Sequence, residues 1–326
     1  MERRVPGGRG EVPGRSAVIL AVLALLSLAP RVEIVSANDT TVTYRELLPQ
    51  RVAADPTTRT FHYKGCPEIR SGEEWVCPAA ARLRGFKEHS CVSLRKDEYA
   101  TRTETRVPSD SAHIAVLFIG NSLTYFNEMP RMTQEIGSRE HRPLLVDAIT
   151  QSGASLEDLW FRTEAVKRIW QEHWDYVILQ ERGGRAAHDR GELFHKYLAL
   201  FAAEARKSGA SPLLFMTWNA GNEAFFKAAA RRANARLLPV GIAWNALENL
   251  DWDGSHPNLA GSYLIACVVY ATIYDKVPRD LPFDFRHLAV PNEFYDKALL
   301  EQTLNEEQAH TIQQAAWRAA ERAKNP

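Results

Sequence analysis

Neither sign of charge is in excess. Forty Lys+Arg face forty Asp+Glu, for a formal net charge of +0. That balance argues against a nucleic-acid binder working through a global positive field. Cysteine is scarce, and four in 326 residues are too few for a disulfide scaffold. Glycine (18) and proline (17) are too few for a collagenous or low-complexity chain. Beyond the N-terminus no apolar stretch is long enough to span a bilayer comfortably. Internal repeats are absent, and the α/β part has no His-Glu-x-x-His or comparable ligand cluster, which speaks against a metal-dependent hydrolase. What remains is an ordinary globular composition, 45% hydrophobic and 25% charged, of a length suited to one large domain, or to a large domain with a small satellite.

The first segment, residues 1–37, reads as an export signal. Arg3, Arg4, Arg9 and Arg15 form a basic region, Ala17 to Ala29 is an apolar stretch interrupted by Ser27, and Val35-Ser36-Ala37 offers small residues for cleavage. The alternative is an uncleaved N-terminal anchor, for which the apolar stretch is short. The expected location is therefore secreted or periplasmic, with no membrane contact beyond this segment. Residues 44–100 hold three of the four cysteines and show no strong helical period. Residues 101–111, TRTETRVPSDS, are polar, contain Pro108 and read as a linker. A domain over 112–326 follows.

In that domain apolar strands alternate with amphipathic helices. The strands are expected at Ile114–Ile119, Leu144–Ile149, Tyr176–Leu179, Leu213–Met216 and Leu238–Ile242. The first, third and fourth are continuous apolar runs, as in strands buried on both faces of a parallel sheet. Helices are expected near 123–138, 155–172, 190–208 and 222–236. Five strand–helix alternations specify an open parallel α/β sheet with ligands at the C-terminal ends of its strands. Asn258–Tyr274 is almost wholly apolar and reads as a buried helix, with Cys267 as a core residue within it. A last amphipathic helix is expected near Asn305–Ala323.

Two features carry chemistry. Gly120-Asn121-Ser122-Leu123-Thr124 follows the first strand and opens a helix, which exposes the Ser122 hydroxyl at the sheet edge. Taken alone, Ser122 would be read as a helix cap. Asp251-Trp252-Asp253-Gly254-Ser255-His256-Pro257 follows the fifth strand. Its spacing lets Asp253 hold one imidazole nitrogen of His256 while the other faces outward. A serine, a histidine to take its proton and an acid to orient that histidine are the requirements for acyl transfer.

These residues resemble a known family, the SGNH (GDSL-type) hydrolases, over roughly 112–276. Gly120-Asn121-Ser122-Leu123 is similar to the nucleophile block, with Asn121 where the family has Asp. Asp253-x-x-His256-Pro257 is similar to the block that supplies acid and base. Gln151-Ser152-Gly153-Ala154 lies where the family places its oxyanion-hole glycine, so Gly153 matches. The resemblance implies a flavodoxin-like three-layer α/β/α sandwich and a serine ester hydrolase with no metal or organic cofactor. Ser122 is then the nucleophile, His256 the general base and acid, and Asp253 the orienting acid. The chain departs from the family after the third strand. Gly-x-Asn-Asp is replaced by Leu179-Gln180-Glu181-Arg182, so the third oxyanion donor is left among Gln180, Arg182 and Asn219, with Gln180 favoured. The expected substrate is a small molecule or carbohydrate ester, such as an O-acetyl sugar. A non-catalytic binding protein of the same fold is the rival, supported by the missing Asn and opposed by the intact Ser122, Asp253 and His256 set.

Residues 60–91 bear a weaker resemblance to the Ada-type metal-binding domain, through His62, Cys66, Cys77, the Ala-rich run after it, and His89-x-Cys91. Such S and N groups suit tetrahedral Zn²⁺. An oxidising compartment favours a disulfide between two of the three cysteines instead.

Overall fold

The computed structural model describes residues 32–47, 52–63, 74–76, 85–88, 99–107, 110–183, 191–218, 223–290 and 293–324. Cys66, Cys77, His89, Cys91 and Asn219 lie outside the described residues. The N-terminal part is built of short strands: β1 (Val32–Ala37), β2 (Thr41–Leu47), β3 (Val52–Asp55), β4 (Thr60–Tyr63), β5 (Glu74–Val76), β6 (Lys87–Glu88) and β7 (Tyr99–Thr105). They make a three-stranded sheet, β1-β2-β7, and a four-stranded one, β5-β3-β4-β6. In the latter His62 is buried and its Nε2 lies 3.1 Å from Thr60 Oγ1.

The α/β part continues with β8 (Ile114–Gly120), α1 (Ser122–Tyr125), α2 (Met129–Ile136), β9 (Leu144–Thr150), α3 (Leu156–Arg162), α4 (Ala165–Gln171), β10 (Tyr176–Leu179) and α5 (Gly191–Lys207). Then come β11 (Ser211–Phe215), α6 (Glu223–Ala233), β12 (Arg236–Leu238), α7 (Val240–Trp244), α8 (Leu259–Tyr274), α9 (Lys297–Glu301) and α10 (Glu306–Lys324). β8 to β12 form one five-stranded sheet in the order β12-β11-β10-β8-β9, every pairing parallel. Numbered from β8, that is 2-1-3-4-5, the flavodoxin-like arrangement, with its switch point beside the first strand. The expected three-layer sandwich is what the chain builds.

Both faces of the sheet are covered. From β8, Val116 and Phe118 enter the cluster that holds α2 and α8, while Leu117 and Ile119 enter the one that holds α3, α4 and α5. Each such buried side chain contributes about 1.5–3 kcal/mol by leaving water. Helix α8 is apolar all round and nearly every residue is buried, because α2 and α10 also pack against it. Cys267 sits in its middle as a free, fully buried thiol. Burial pushes its pKa up, so it is an inert core residue.

Four local expectations are corrected. Leu238–Ile242 is not a strand: β12 stops at Leu238 and α7 starts at Val240, because Pro239 has no N–H for the ladder. The segment 155–172 is two helices. They part at Thr163, whose hydroxyl donates to Leu159 O and accepts from Ala165 N at 3.2 Å. The segment 123–138 breaks at Asn127 and Glu128, both left-handed (φ 56° and 50°). Residues 101–105 belong to strand β7 rather than to a linker. Polar side chains here are used: Glu104 accepts from Tyr44 and Gln171 and pairs with Lys167 of α4, and just past the strand buried Arg106 donates to Ser208 O at 2.7 Å.

The three-stranded sheet is joined to the α/β part. Val42 belongs to the same apolar cluster as α3 and α4. Val35-Ser36-Ala37, the expected cleavage site, lies in β1, which pairs with β2 through Val32↔Glu46 to Ala37↔Val42. Cleavage after Ala37 would remove that strand.

One glycine ties the core to the loop after α7. A Cβ on Gly261 would lie 2.1 Å from Leu250 O and 2.7 Å from the Trp244 ring, and Leu250 O is held by Asn258 N at 2.9 Å. A backbone carbonyl cannot yield as a side chain does. Gly261→Ala is expected to destabilise the fold by about 1–3 kcal/mol, read as a lowered Tm in thermal unfolding.

Candidate active site

The turn Gly120–Ser122 leaves the C-terminal end of β8 beside the switch point, where open α/β sheets bind ligands. Asn121 caps α1, its Oδ1 accepting from Leu123 N at 3.1 Å. Its Nδ2 donates to Ala154 O at 2.8 Å, and Gln151 N donates to Gly120 O at 3.2 Å. The Ser122 turn and the Gly153 loop are therefore bonded to each other at two points. Gly153 has φ 64°, the left-handed region that favours glycine. A Cβ there would touch nothing within 4 Å, so its backbone borders open space.

The loop Asp251–Pro257 folds on itself. Trp252 N donates to His256 O at 2.7 Å, and Gly254, at φ 82°, donates to Asp251 Oδ1 at 2.6 Å. Asp253 Oδ1 accepts from Ser255 N (3.0 Å) and His256 N (2.8 Å). Its Oδ2 lies 2.8 Å from His256 Nδ1. The hydrogen bond from the His256 backbone, and next that from its side chain, hold the Asp253 carboxyl below the usual carboxylate range. The other imidazole nitrogen, Nε2, is 3.0 Å from Ser122 Oγ. Residues 134 positions apart thus meet in the order carboxylate, imidazole, hydroxyl. The carboxylate fixes Nδ1 as the protonated nitrogen and leaves Nε2 to accept from Ser122.

Gln180 is placed differently from expectation. It has no exposed surface. Its Oε1 accepts from Asn121 N (2.8 Å) and Thr124 Oγ1 (2.9 Å), and its Nε2 donates to Glu181 O. The amide cannot be turned over, since Asn121 N must have an acceptor. Gln180 therefore props the Ser122 turn from inside, with its amide spent on Asn121, Thr124 and Glu181. A Cβ on Gly120 would lie 2.6 Å from Gln180 Oε1, so Gly120 is what lets the prop come close. Glu181 continues the brace: it is buried, accepts from Leu156 N at 3.2 Å and Arg182 N at 2.8 Å, and so holds the start of α3 just beyond the Gly153 loop. Arg182 is half-buried.

Two residues of the site have no motif to announce them. The Phe126 ring lies against the His256 imidazole, centroids 4.4 Å apart and planes 12° from parallel. Asn127 is buried, and its Nδ2 donates to Pro257 O (2.9 Å) and Ser262 Oγ (2.8 Å). It clasps the segment after Ser122 to the residue after His256. The only sequence signal is weak: Asn tolerates the left-handed conformation, and Pro130 marks a helix restarting.

No family model matches the chain, and no curated protein matches it. Solved structures share its shape over about half its length. A Slackia heliotrinireducens protein described as of the SGNH hydrolase type is 29% identical, over 49% of this chain and 99% of its own, with a TM-score of 0.43. TesA is 20% identical over 49% and 98%, with a TM-score of 0.41. The acetyl xylan esterase AlAXEase is 18% identical over 49% and 100%, with a TM-score of 0.39.

The placement of Gln180 has a measurable consequence. Gln180→Ala strips the partner from a buried N–H and a buried hydroxyl, at a cost of about 1–3 kcal/mol. Its Tm should fall together with its reactivity at Ser122. A loss of kcat with an unchanged Tm would instead make Gln180 an oxyanion donor.

Proposed function

We propose that this protein is a serine ester hydrolase acting by two-step acyl transfer. The observation that carries the reading is the continuous line Asp253 Oδ2–His256 Nδ1 (2.8 Å) and His256 Nε2–Ser122 Oγ (3.0 Å) at the C-terminal edge of a parallel sheet. His256 takes the Ser122 proton as Oγ attacks the ester carbonyl, then gives it to the leaving alcohol. Water repeats the sequence on the acyl-enzyme and frees the acid. Asp253 stays ionised and stabilises the imidazolium that forms. The Ser122 and Gly153 N–H groups are the oxyanion donors of this reading. The substrate is an ester of a carbohydrate or another small molecule. The compartment, secreted or periplasmic, rests on the N-terminal sequence.

A fluorophosphonate should label the protein once, and Ser122→Ala should abolish the labelling; labelling that persists would remove Ser122 from the role. Asp253→Asn should lower kcat by roughly 10⁴-fold by presenting an amide N–H to Nδ1 and favouring the wrong tautomer. A loss under about tenfold would reduce Asp253 to a loop cap. Asp253, held below the usual range, remains charged under mild acidification.

A further inference from the structure

The ring stacked on His256 is the inner end of an aromatic series. Phe126 meets Phe294 edge-on at 6.4 Å and Tyr295 at 6.4 Å. Tyr125 meets Tyr295 edge-on at 5.2 Å. Phe294, the outer ring, is 67% exposed, more than any other large apolar side chain among the described residues. A single exposed phenylalanine needs no explanation. This one ends a run of rings that begins on the imidazole.

The turn presenting it is fixed by a costly group. Asp296 has no exposed surface. Its Oδ2 accepts from Val290 N at 2.9 Å, and its Oδ1 has no partner among the described residues. Burial, reinforced by Glu128 and Glu293, pushes its carboxyl up to about 6. Burying a carboxyl with an unsatisfied oxygen disfavours the fold, yet here it shapes the turn Phe294–Asp296.

Two features decide what the rings can take. The cavity between Phe126, Asn127, Trp252, Pro257, Phe294 and Tyr295 is about 10 Å³, room for about one water molecule. It is too small to sheath a chain, so a ligand at this place lies over the rings and not between them. Polar groups border them: Glu293 and Lys297 are exposed, and the Lys297 ammonium stands 5.8 Å from the Trp252 ring centre. An apolar face with hydrogen-bonding edges complements a ring that is apolar on its faces and hydroxylated at its margin. The mechanism sets which half of the ester this is. The acyl carbon sits at Ser122 Oγ, and His256 protonates the leaving oxygen, so the alcohol lies on the His256 side, where the rings are.

Resting on the ester-hydrolase reading, we propose that Tyr125, Phe126, Phe294 and Tyr295 form the subsite for the alcohol half of the substrate. That half is a pyranose bearing the acyl group on a hydroxyl, and Phe294 is its stacking partner and a specificity-determining residue.

The test compares two acetates, an acetylated methyl xylopyranoside and acyclic vinyl acetate, on the full chain. In Phe294→Ala the ratio of kcat/KM for the pyranoside to that for vinyl acetate should fall about tenfold, mainly through KM, as expected when a stacked ring is removed. Phe294→Trp should keep the wild-type ratio. An unchanged ratio in Phe294→Ala, with Ser122 still labelled by a fluorophosphonate, overturns the subsite and leaves the hydrolase reading standing. If the wild type neither labels nor turns over either acetate, the hydrolase reading fails. Saturation-transfer NMR with the acetylated pyranoside then decides the subsite alone. A transfer signal that Phe294→Ala abolishes supports it, and a signal that persists in the variant or never appears overturns it.

Discussion

Three N–H groups converge on the Asp253 carboxylate, and the geometry around Ser122 depends on that convergence. Two come from the backbone of Ser255 and His256 and one from the imidazole. The backbone pair closes the loop into a fixed turn, and the third bond orients the ring. Removing the acid would free the loop and leave both imidazole nitrogens without assigned roles. A side-chain carboxylate three residues before a histidine thus sets loop shape, tautomer and ring direction together.

That local device is useful only because the fold delivers it to the right place. The sheet order puts the end of β8 at the switch point. Three further ties hold the facing pieces at bonding distance. Gln180 and Glu181 brace the Ser122 turn and the start of α3 from below. Asn121 ties that turn to the Gly153 loop. Asn127 joins the segment after Ser122 to Pro257 and Ser262. Left-handed backbone at Asn127 and Glu128 carries some strain, which such ties must over-determine to maintain. The buried helix α8 anchors the far side, with Gly261 allowing Leu250 O to press against it.

The groups assigned to the proposed chemistry are legible in the sequence because each is local. Ser122 follows a continuous apolar strand, Gly153 follows the next, and Asp253 and His256 lie three residues apart. The groups that position them are not. Whether Gln180 faces the substrate or the turn depends on Asn121 and Thr124, more than fifty residues away, which no local pattern reveals. Phe126 and Asn127 act on residues some 130 positions further on, with no periodicity to reveal it. Pro239 is visible in the sequence, and its missing N–H shortens β12. Strand β7 gives no such sign, because a strand held by a backbone ladder and by Glu104 and Arg106 needs no apolar pattern. The expected export signal rests on the N-terminal sequence alone, and Cys66, Cys77 and Cys91 lie outside the described residues.

The account stands or falls on a covalent intermediate at one oxygen. Acid quenching during turnover of p-nitrophenyl acetate, followed by peptide mass mapping, reads it directly. The acetyl group should be found on the peptide carrying Ser122, and on none when His256 is replaced by Ala. Turnover with the acetyl group on another residue, or with no acyl-enzyme and no dependence on Ser122, would contradict it.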